Sequence, residues 1–284
     1  MKTRKNKVSF RIWAPSFTDT CGGCMVLYKL AKDLSSIGQH VHIYDNGNKQ
    51  IKNKLFSSYN QSEIKNEIVI YPEVVKGNPL HAKRVVRWIL CSLGTHTPVD
   101  IYKTWGKDDK LYYFSSFQQT TKVMRPLFTF SLHGFTNKQE ERKGSCFTIR
   151  KAKKFHKDLK YIHPSDSKEI TNESNDELMN IMNQYEYFYC YDPYSYLAII
   201  AALCGCVPIV IPIKGLTKYE WLKTLYVSPY LKNRKLYNLN GIAYGEKDIS
   251  FARRTMHLVK QEQNDIELFG IETVKQFVKD MKKT

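Results

Sequence analysis

The stretch from Glu186 to Pro212, EYFYCYDPYSYLAIIAALCGCVPIVIP, constrains the fold more than any other part of the chain. It reads as a buried strand over Tyr187–Tyr191, a tight turn, an apolar helix over Tyr194–Leu203, a Cys-Gly-Cys break and a second buried strand over Val207–Ile211. Unbroken apolar runs of strand length, bounded by Asp-Pro and Gly, are the pattern of parallel strands covered on both faces. Asp192 suits the N-cap and Pro193 the first helical position, so a helix N-terminus is predicted at the carboxyl end of a strand. Unpaired N–H groups and the helix dipole favour an anion there, and open α/β sheets bind phosphorylated ligands at that edge.

The same alternation runs through the rest of the chain. A strand over Val8–Ala14 leads through a loop to an amphipathic helix over Cys24–Ile37, with Val26, Leu27, Leu30, Ala31 and Leu34 at helical spacing. Gly38 ends that helix and Val41–Tyr44 is the next strand. Strands are also predicted over Glu67–Tyr71 and Leu111–Ser115, with a helix over Leu80–Leu93 between them. Near residue 140 the charged, Gly-terminated run NKQEERKG reads as a linker. A second series follows: strands at Cys146–Ile149 and Tyr161–His163, a helix over Asp176–Gln184, the segment above, and a helix over Lys218–Leu225. A short strand over Gly241–Tyr244 then leads into helices from Ile249 and from Ile271. The expectation is an α/β protein of two Rossmann-like domains facing a cleft, 1–140 and 141–265, with 266–284 a helix returning toward the first.

Lys and Arg outnumber Asp and Glu by 44 to 27, a net charge of +17 that suits an acidic partner: nucleic acid, an anionic membrane surface or a phosphorylated substrate. The excess lies in short clusters, which reads mostly as solvated surface. Seven cysteines, an odd number without disulfide spacing, point to a reducing compartment. Met1–Lys7 is basic but no apolar core follows, which predicts no secretory leader. The longest apolar run, Leu197–Ile213, is broken by Gly205, Pro208 and Pro212 and is too short to span a bilayer. The expected location is therefore cytoplasmic, with peripheral contact at an anionic membrane as a further option.

Two local patterns offer other chemistry. Cys21-Gly-Gly-Cys24, between a strand and a helix, has the context of a thiol redox site, but the chain length and the second α/β series argue against it. A zinc site would need a second cysteine pair with ligand spacing, and Cys204-x-Cys206 is too tight. Nineteen tyrosines could stack on bases, but they fall mostly inside strands, so sheet packing explains them and nucleic acid is the weaker partner.

The pattern strand, Asp192-Pro-Tyr-Ser195, helix, Ala201-Ala-Leu-Cys-Gly-Cys206, Pro208-Ile-Val resembles the donor-binding motif of GT-B glycosyltransferases. Alignment on Cys204-Gly205-Cys206 sets Asp192 at the family's first acidic position. Ile200 stands at the second, where the family accepts hydrogen bonds from ribose hydroxyls. Gly22-Gly23 is similar to the glycine-rich N-terminal loop of that fold, and the block Tyr71-Pro-Glu-Val-Val75 with Gly77-Asn-Pro79 and Arg87-Trp88 also resembles one in such transferases. The resemblance implies sugar transfer from a nucleotide-sugar donor to a glycan, lipid or protein acceptor. Arg150 and Lys151 would lie against the diphosphate, with Tyr194, Ser195, Gly22 and Gly23 also on the donor. It implies no cofactor and no obligatory metal: charge on the leaving phosphate is met by cations and a helix N-terminus. Asp192 is then the candidate catalytic acid, with Asp19 or His133 as the general base an inverting reaction needs. Glu73 reads as structural. A basic nucleic-acid-binding protein and a glycosyltransferase-like protein without activity are the rival readings.

Overall fold

A computed structural model describes residues 8–18, 21–45, 66–116, 120–121, 123–132, 134–150 and 152–283. Asp19, His133 and Lys151 lie outside the described residues. The chain divides into two compact units: 1–130 with 226–229 and 267–284, and 131–225 with 230–266. The division falls at Phe130/Ser131, ahead of the charged run near residue 140.

In the N-terminal unit the elements run β1 (Ser9–Ala14), α1 (Gly22–Ser36), β2 (His40–Asp45), β3 (Ile68–Pro72), β4 (Arg84–Ile89), β5 (Lys110–Tyr113) and β6 (Arg125–Pro126). They form one sheet in the order β2-β1-β3-β4-β5-β6, every pairing parallel. Phe10 lies in register between Val41 and Ile68, so the first strand is flanked on both sides. All five residues of β3 are buried, which is why its sequence is apolar without alternation.

In the C-terminal unit the order along the chain is β7 (Ser145–Thr148), α2 (Ala152–Phe155), β8 (Lys168–Glu169), α3 (Asn175–Gln184), β9 (Tyr187–Cys190), α4 (Leu197–Cys204), β10 (Val207–Val210) and α5 (Lys218–Thr224). Helix α6 (Ser228–Arg234), β11 (Ala243–Tyr244), α7 (Ile249–Thr255) and α8 (Val259–Met281) complete the chain. The sheet order is β11-β10-β9-β7-β8, again wholly parallel. Counted within each unit, both sheets have strand order 2-1-3-4-5, with a sixth strand added in the first. The molecule is thus α/β, with two doubly wound parallel sheets.

One face of the second sheet is a cluster of Tyr189, Tyr191, Val207, Ile209 and Ile211, closed by Ala152 and Ala252. The other carries α4, in which Leu197 to Ala202 and Cys204 are all buried. In the first unit Phe277 of α8 packs on Phe10 at 5.4 Å and edge-on to Tyr112 at 4.9 Å. Among the described residues no helix is long and apolar enough to cross a membrane.

Several sequence expectations fail, and the helix expected from Ile271 is only the later part of α8, which already begins at Val259. The helix predicted over Leu80–Leu93 is strand β4, because Val85, Val86, Trp88 and Ile89 are buried on both faces, not on one stripe. The preceding turn is closed by side chains: Asn78 Oδ1 accepts from Ala82 N at 3.0 Å and Tyr71 OH accepts from Leu80 N at 3.0 Å. Tyr161–His163 is not a strand either. Its backbone is pinned to Tyr191, whose hydroxyl accepts from Ile162 N at 2.7 Å, while His163 stacks on Phe147 at 3.8 Å. Helix α1 begins at Gly22, two residues earlier than the periodicity of its apolar side chains suggested.

Candidate functional site

The order of the second sheet sets the site. The chain leaves β7 to one side for β8 and returns on the other as β9, so the order reverses between β7 and β9. A crevice forms outside the carboxyl ends of such a strand pair, where α/β sheets hold ligands. Thr148 pairs with Cys190 at this edge. Beyond them the chain supplies Arg150 from β7 and the turn Asp192-Pro193-Tyr194-Ser195 from β9.

That turn is built from side-chain to backbone bonds. Asp192 is buried, and its Oδ1 accepts from Tyr194 N at 3.1 Å. Its carbonyl accepts from Ser195 N at 3.0 Å, and Ser195 Oγ accepts from Leu197 N at 3.2 Å. The helix therefore starts at Leu197, with Tyr196 at the N-cap position, and not at Tyr194 with Asp192 as the cap. Asp and Ser offered nearby amides an alternative to the helix, and the alternative won. The amides of Tyr194, Ser195 and Leu197 are thereby already engaged, so an anion at this edge depends on side-chain cations for its charge balance.

Those cations come from the segment after β7. Arg150, Lys153 and Lys154 are exposed, and Arg150 has no ion-pair or hydrogen-bond partner among the described residues. The segment is tied to the turn at two points. Phe155 meets Tyr194 edge-on at 5.1 Å, and His156 Nε2 donates to the carbonyl of Tyr191 at 3.1 Å. The turn is fixed from below as well: Trp221 Nε1 donates to Pro193 O at 2.8 Å, and Thr224 Oγ1 donates to the hydroxyl of Tyr194 at 3.3 Å. Thr148 Oγ1 is buried at the end of β7 with no hydrogen-bond partner among the described residues. The charge of Lys153 and Lys154 was legible as part of a basic run. Trp221 and Thr224 carried no local signal, since they reach the turn from a helix farther along the chain.

Ile200 is fully buried in α4. The position aligned with the family's ribose-binding acid thus belongs to the core.

In the N-terminal unit the equivalent reversal lies between β1 and β3. Gly22 and Gly23 open α1 there, are exposed, and have nothing among the described residues within 4 Å of where a Cβ would stand. Cys24 is buried against the carbonyl of Ser16, and burial pushes its thiol up, the reverse of what an activated redox cysteine needs. Glu73 follows β3. Burial pushes its carboxyl up, against hydrogen bonds that include Leu90 N at 2.9 Å, so it ties the ends of β3 and β4 together. Among the described residues no three His, Cys, Asp or Glu side chains group as a metal site.

No family profile matches the sequence, and no curated protein matches it. Among solved structures the chain is similar to the glycosyltransferase SnogD from Streptomyces nogalater, at 11% identity and TM-score 0.44 over 96% of this chain and 99% of that one. It is also similar to CalG4, the calicheamicin glycosyltransferase, at 10% identity and TM-score 0.39 over 97% and 98% of the two chains. MurG of Acinetobacter baumannii matches at 8% identity and TM-score 0.38, over 98% of this chain and all of that one (100%). The fold assignment itself rests on the two strand orders.

Proposed function

We propose that the chain is a glycosyltransferase that moves a sugar from a nucleotide-activated donor to a glycan, lipid or protein acceptor. The donor diphosphate lies at the carboxyl edge of the C-terminal unit. The observation that carries this reading is Arg150: a guanidinium with no partner among the described residues, just after β7, at the strand reversal, with Lys153 and Lys154 close behind it. Expulsion of a nucleoside diphosphate builds negative charge on its terminal phosphate. Fixed cations at that point lower the barrier without a metal, and a guanidinium can grip two phosphate oxygens at once. Lys151 adds to that charge by its place in the sequence. Asp192 supplies the carboxylate that orients donor hydroxyls or balances positive charge at the anomeric carbon. Tyr194 and Ser195, in the same braced turn, line the donor. A binding protein without activity is the second reading, favoured by the burial of Ile200.

Calorimetry with UDP, GDP, dTDP and CMP, each beside its nucleoside, tests the proposal. Arg150→Ala is expected to weaken the preferred nucleotide about tenfold and to leave the nucleoside unchanged, the scale of one charged hydrogen bond. Equal losses for both would overturn the phosphate assignment. Asp192→Asn keeps the oxygen that closes the turn and removes the charge. It is expected to melt with the wild type and to lose most transfer, and transfer is expected to survive EDTA.

A further inference from the structure

The segment between β4 and β5, with residues just after β5, encloses a cavity of about 680 Å³ in the N-terminal unit. It lies on the β4–β5 flank of the sheet, away from the strand reversal between β1 and β3. Leu93, Val99 and Leu111 make part of its wall apolar, and Tyr102, Trp105, Lys107 and Asp109 are among the other residues that line it.

Three features of that lining point to one chemistry. The indole N–H of Trp105 is buried and has no acceptor among the described residues. Burying a donor unpaired costs free energy, a cost removed when a ligand oxygen arrives. Asp109 has the complementary vacancy. Its Oδ2 accepts from Arg87 Nε at 2.7 Å and from Gly106 N at 3.1 Å, whereas Oδ1 accepts no hydrogen bond among the described residues. Gly106 leaves that oxygen room: a Cβ at 106 would stand 2.6 Å from Oδ1. Finally, the aromatic surface is held in place before any ligand binds. The Arg87 guanidinium lies 5.3 Å from the Trp105 ring centre and 4.9 Å from that of Tyr71. Tyr102 stands at the rim, 52% exposed, beside Val99 at 66%.

We propose that this cavity is a carbohydrate subsite. A pyranose presents an apolar C–H face to aromatic rings and a ring of hydroxyls that both donate and accept. One hydroxyl accepts from the Trp105 N–H and another donates to Asp109 Oδ1, while the sugar face packs on Tyr102. A hydrocarbon chain would leave both polar groups unpaired. As the place where the acceptor binds, the subsite rests on the transfer reading above, and it narrows the acceptor to a glycan.

Ligand-observed NMR and calorimetry on the full chain, with maltotriose, cellotriose, triacetylchitotriose and decanoate, test the proposal. At least one trisaccharide is expected to bind with a Kd of about millimolar, and decanoate is not. Tyr102→Ala, at an exposed position, is expected to weaken that binding about tenfold at unchanged Tm. Trp105→Phe keeps a ring over Arg87, drops the N–H and is expected to weaken it about fivefold. Gly106→Ala presses on Asp109 Oδ1, is expected to weaken it similarly, and carries the polar half of the test if Trp105→Phe does not fold. Absence of trisaccharide binding, binding indifferent to these variants, or binding of decanoate alone overturns the proposal. Nucleotide titrations on the same samples separate it from the transfer reading. Saccharide binding without nucleotide binding supports the subsite and removes the transferase; nucleotide binding alone does the reverse.

Discussion

The two units share a strand order and differ in how they use charge. The N-terminal unit buries some of its charged groups in ion pairs. Arg11 meets Glu67 at 2.5 Å, both almost wholly buried, and His42 joins them. Burial raises the Glu67 carboxyl, but the hydrogen bonds from Arg11 and His42 outweigh it and hold the group below its usual range. Arg87 spans Asp109 and the carbonyls of Val75 and Gly77. The β3–β4 crossover has no helix, and these side chains, with Tyr71 and Asn78, do the work of one. The C-terminal unit covers the β9–β10 crossover with the apolar α4 and places Arg150 at the carboxyl edge, where it has no partner among the described residues. Charge that is fully paired stabilises a fold. Charge left unpaired at a strand reversal is available to a ligand, so the same topology is a scaffold in one unit and a candidate anion site in the other.

The largest expected effect divides the two arginines. Arg87→Leu leaves Asp109 and two carbonyls without their donor, in a place where the side chain is 0% exposed. Breaking such a pair costs about 3–5 kcal/mol, read as a lower urea midpoint for the N-terminal unit. Arg150→Ala, at an exposed site, is expected to stay within about 0.5 kcal/mol of wild type in the same titration. Similar stability losses for the two would show that Arg150 is as structural as Arg87.

An intermediate effect concerns pH, and it belongs to the C-terminal unit. Glu262 of α8 accepts from Asn240 N at 2.9 Å, yet burial dominates and pushes its carboxyl up from 4.5 to about 7. Between those values the folded chain binds a proton that the unfolded chain has lost. Stability therefore falls as pH rises from about 4.5 to about 7, and the contribution is gone above that range. The linked loss is on the order of 3 kcal/mol at most. Glu262→Gln keeps an acceptor for Asn240 and cannot ionise. Its melting temperature between about pH 5 and 8 is expected to be flatter than wild type by the Glu262 contribution. A wild-type profile unchanged by the substitution would remove Glu262 from the account.

How far the sequence could be read follows from which forces act locally. Strands β3, β9 and β10 were legible because continuous burial writes continuous apolar sequence, and both capped helices, α3 and α5, carried Ser or Thr three residues ahead of Glu. Strand β4 misled because apolar residues at 82, 85, 86 and 89 satisfy a helical period while the sheet buries both faces. The start of α4 misled because Asp192 and Ser195 can cap a helix or close a turn with equal chemistry, and Trp221, remote in sequence, braces the turn. At the candidate site the residue types were visible and their partners were not. That Arg150 has no partner among the described residues, that Ile200 is core and that the amides around Ser195 are engaged are properties of the folded arrangement alone.

The smallest expected effect tests whether the N-terminal reversal shares in donor binding. The resemblance assigns Gly22 and Gly23 to the donor, as if a phosphate had to approach a backbone without side chains. Both are in the first turn of α1 with open space where a Cβ would stand. A methyl at Gly23 then meets no atom of the described residues and removes backbone freedom from the unfolded chain, so Gly23→Ala is expected to gain about 0.5 kcal/mol of stability. If the unpaired cations of the C-terminal unit hold the diphosphate, the affinity for nucleoside diphosphate should stay within about twofold of wild type. A fall of about tenfold with the stability gain intact would mean that a ligand approaches closer than the protein does. The difference in charge between the two units would then describe stability, and the diphosphate would belong to both strand reversals.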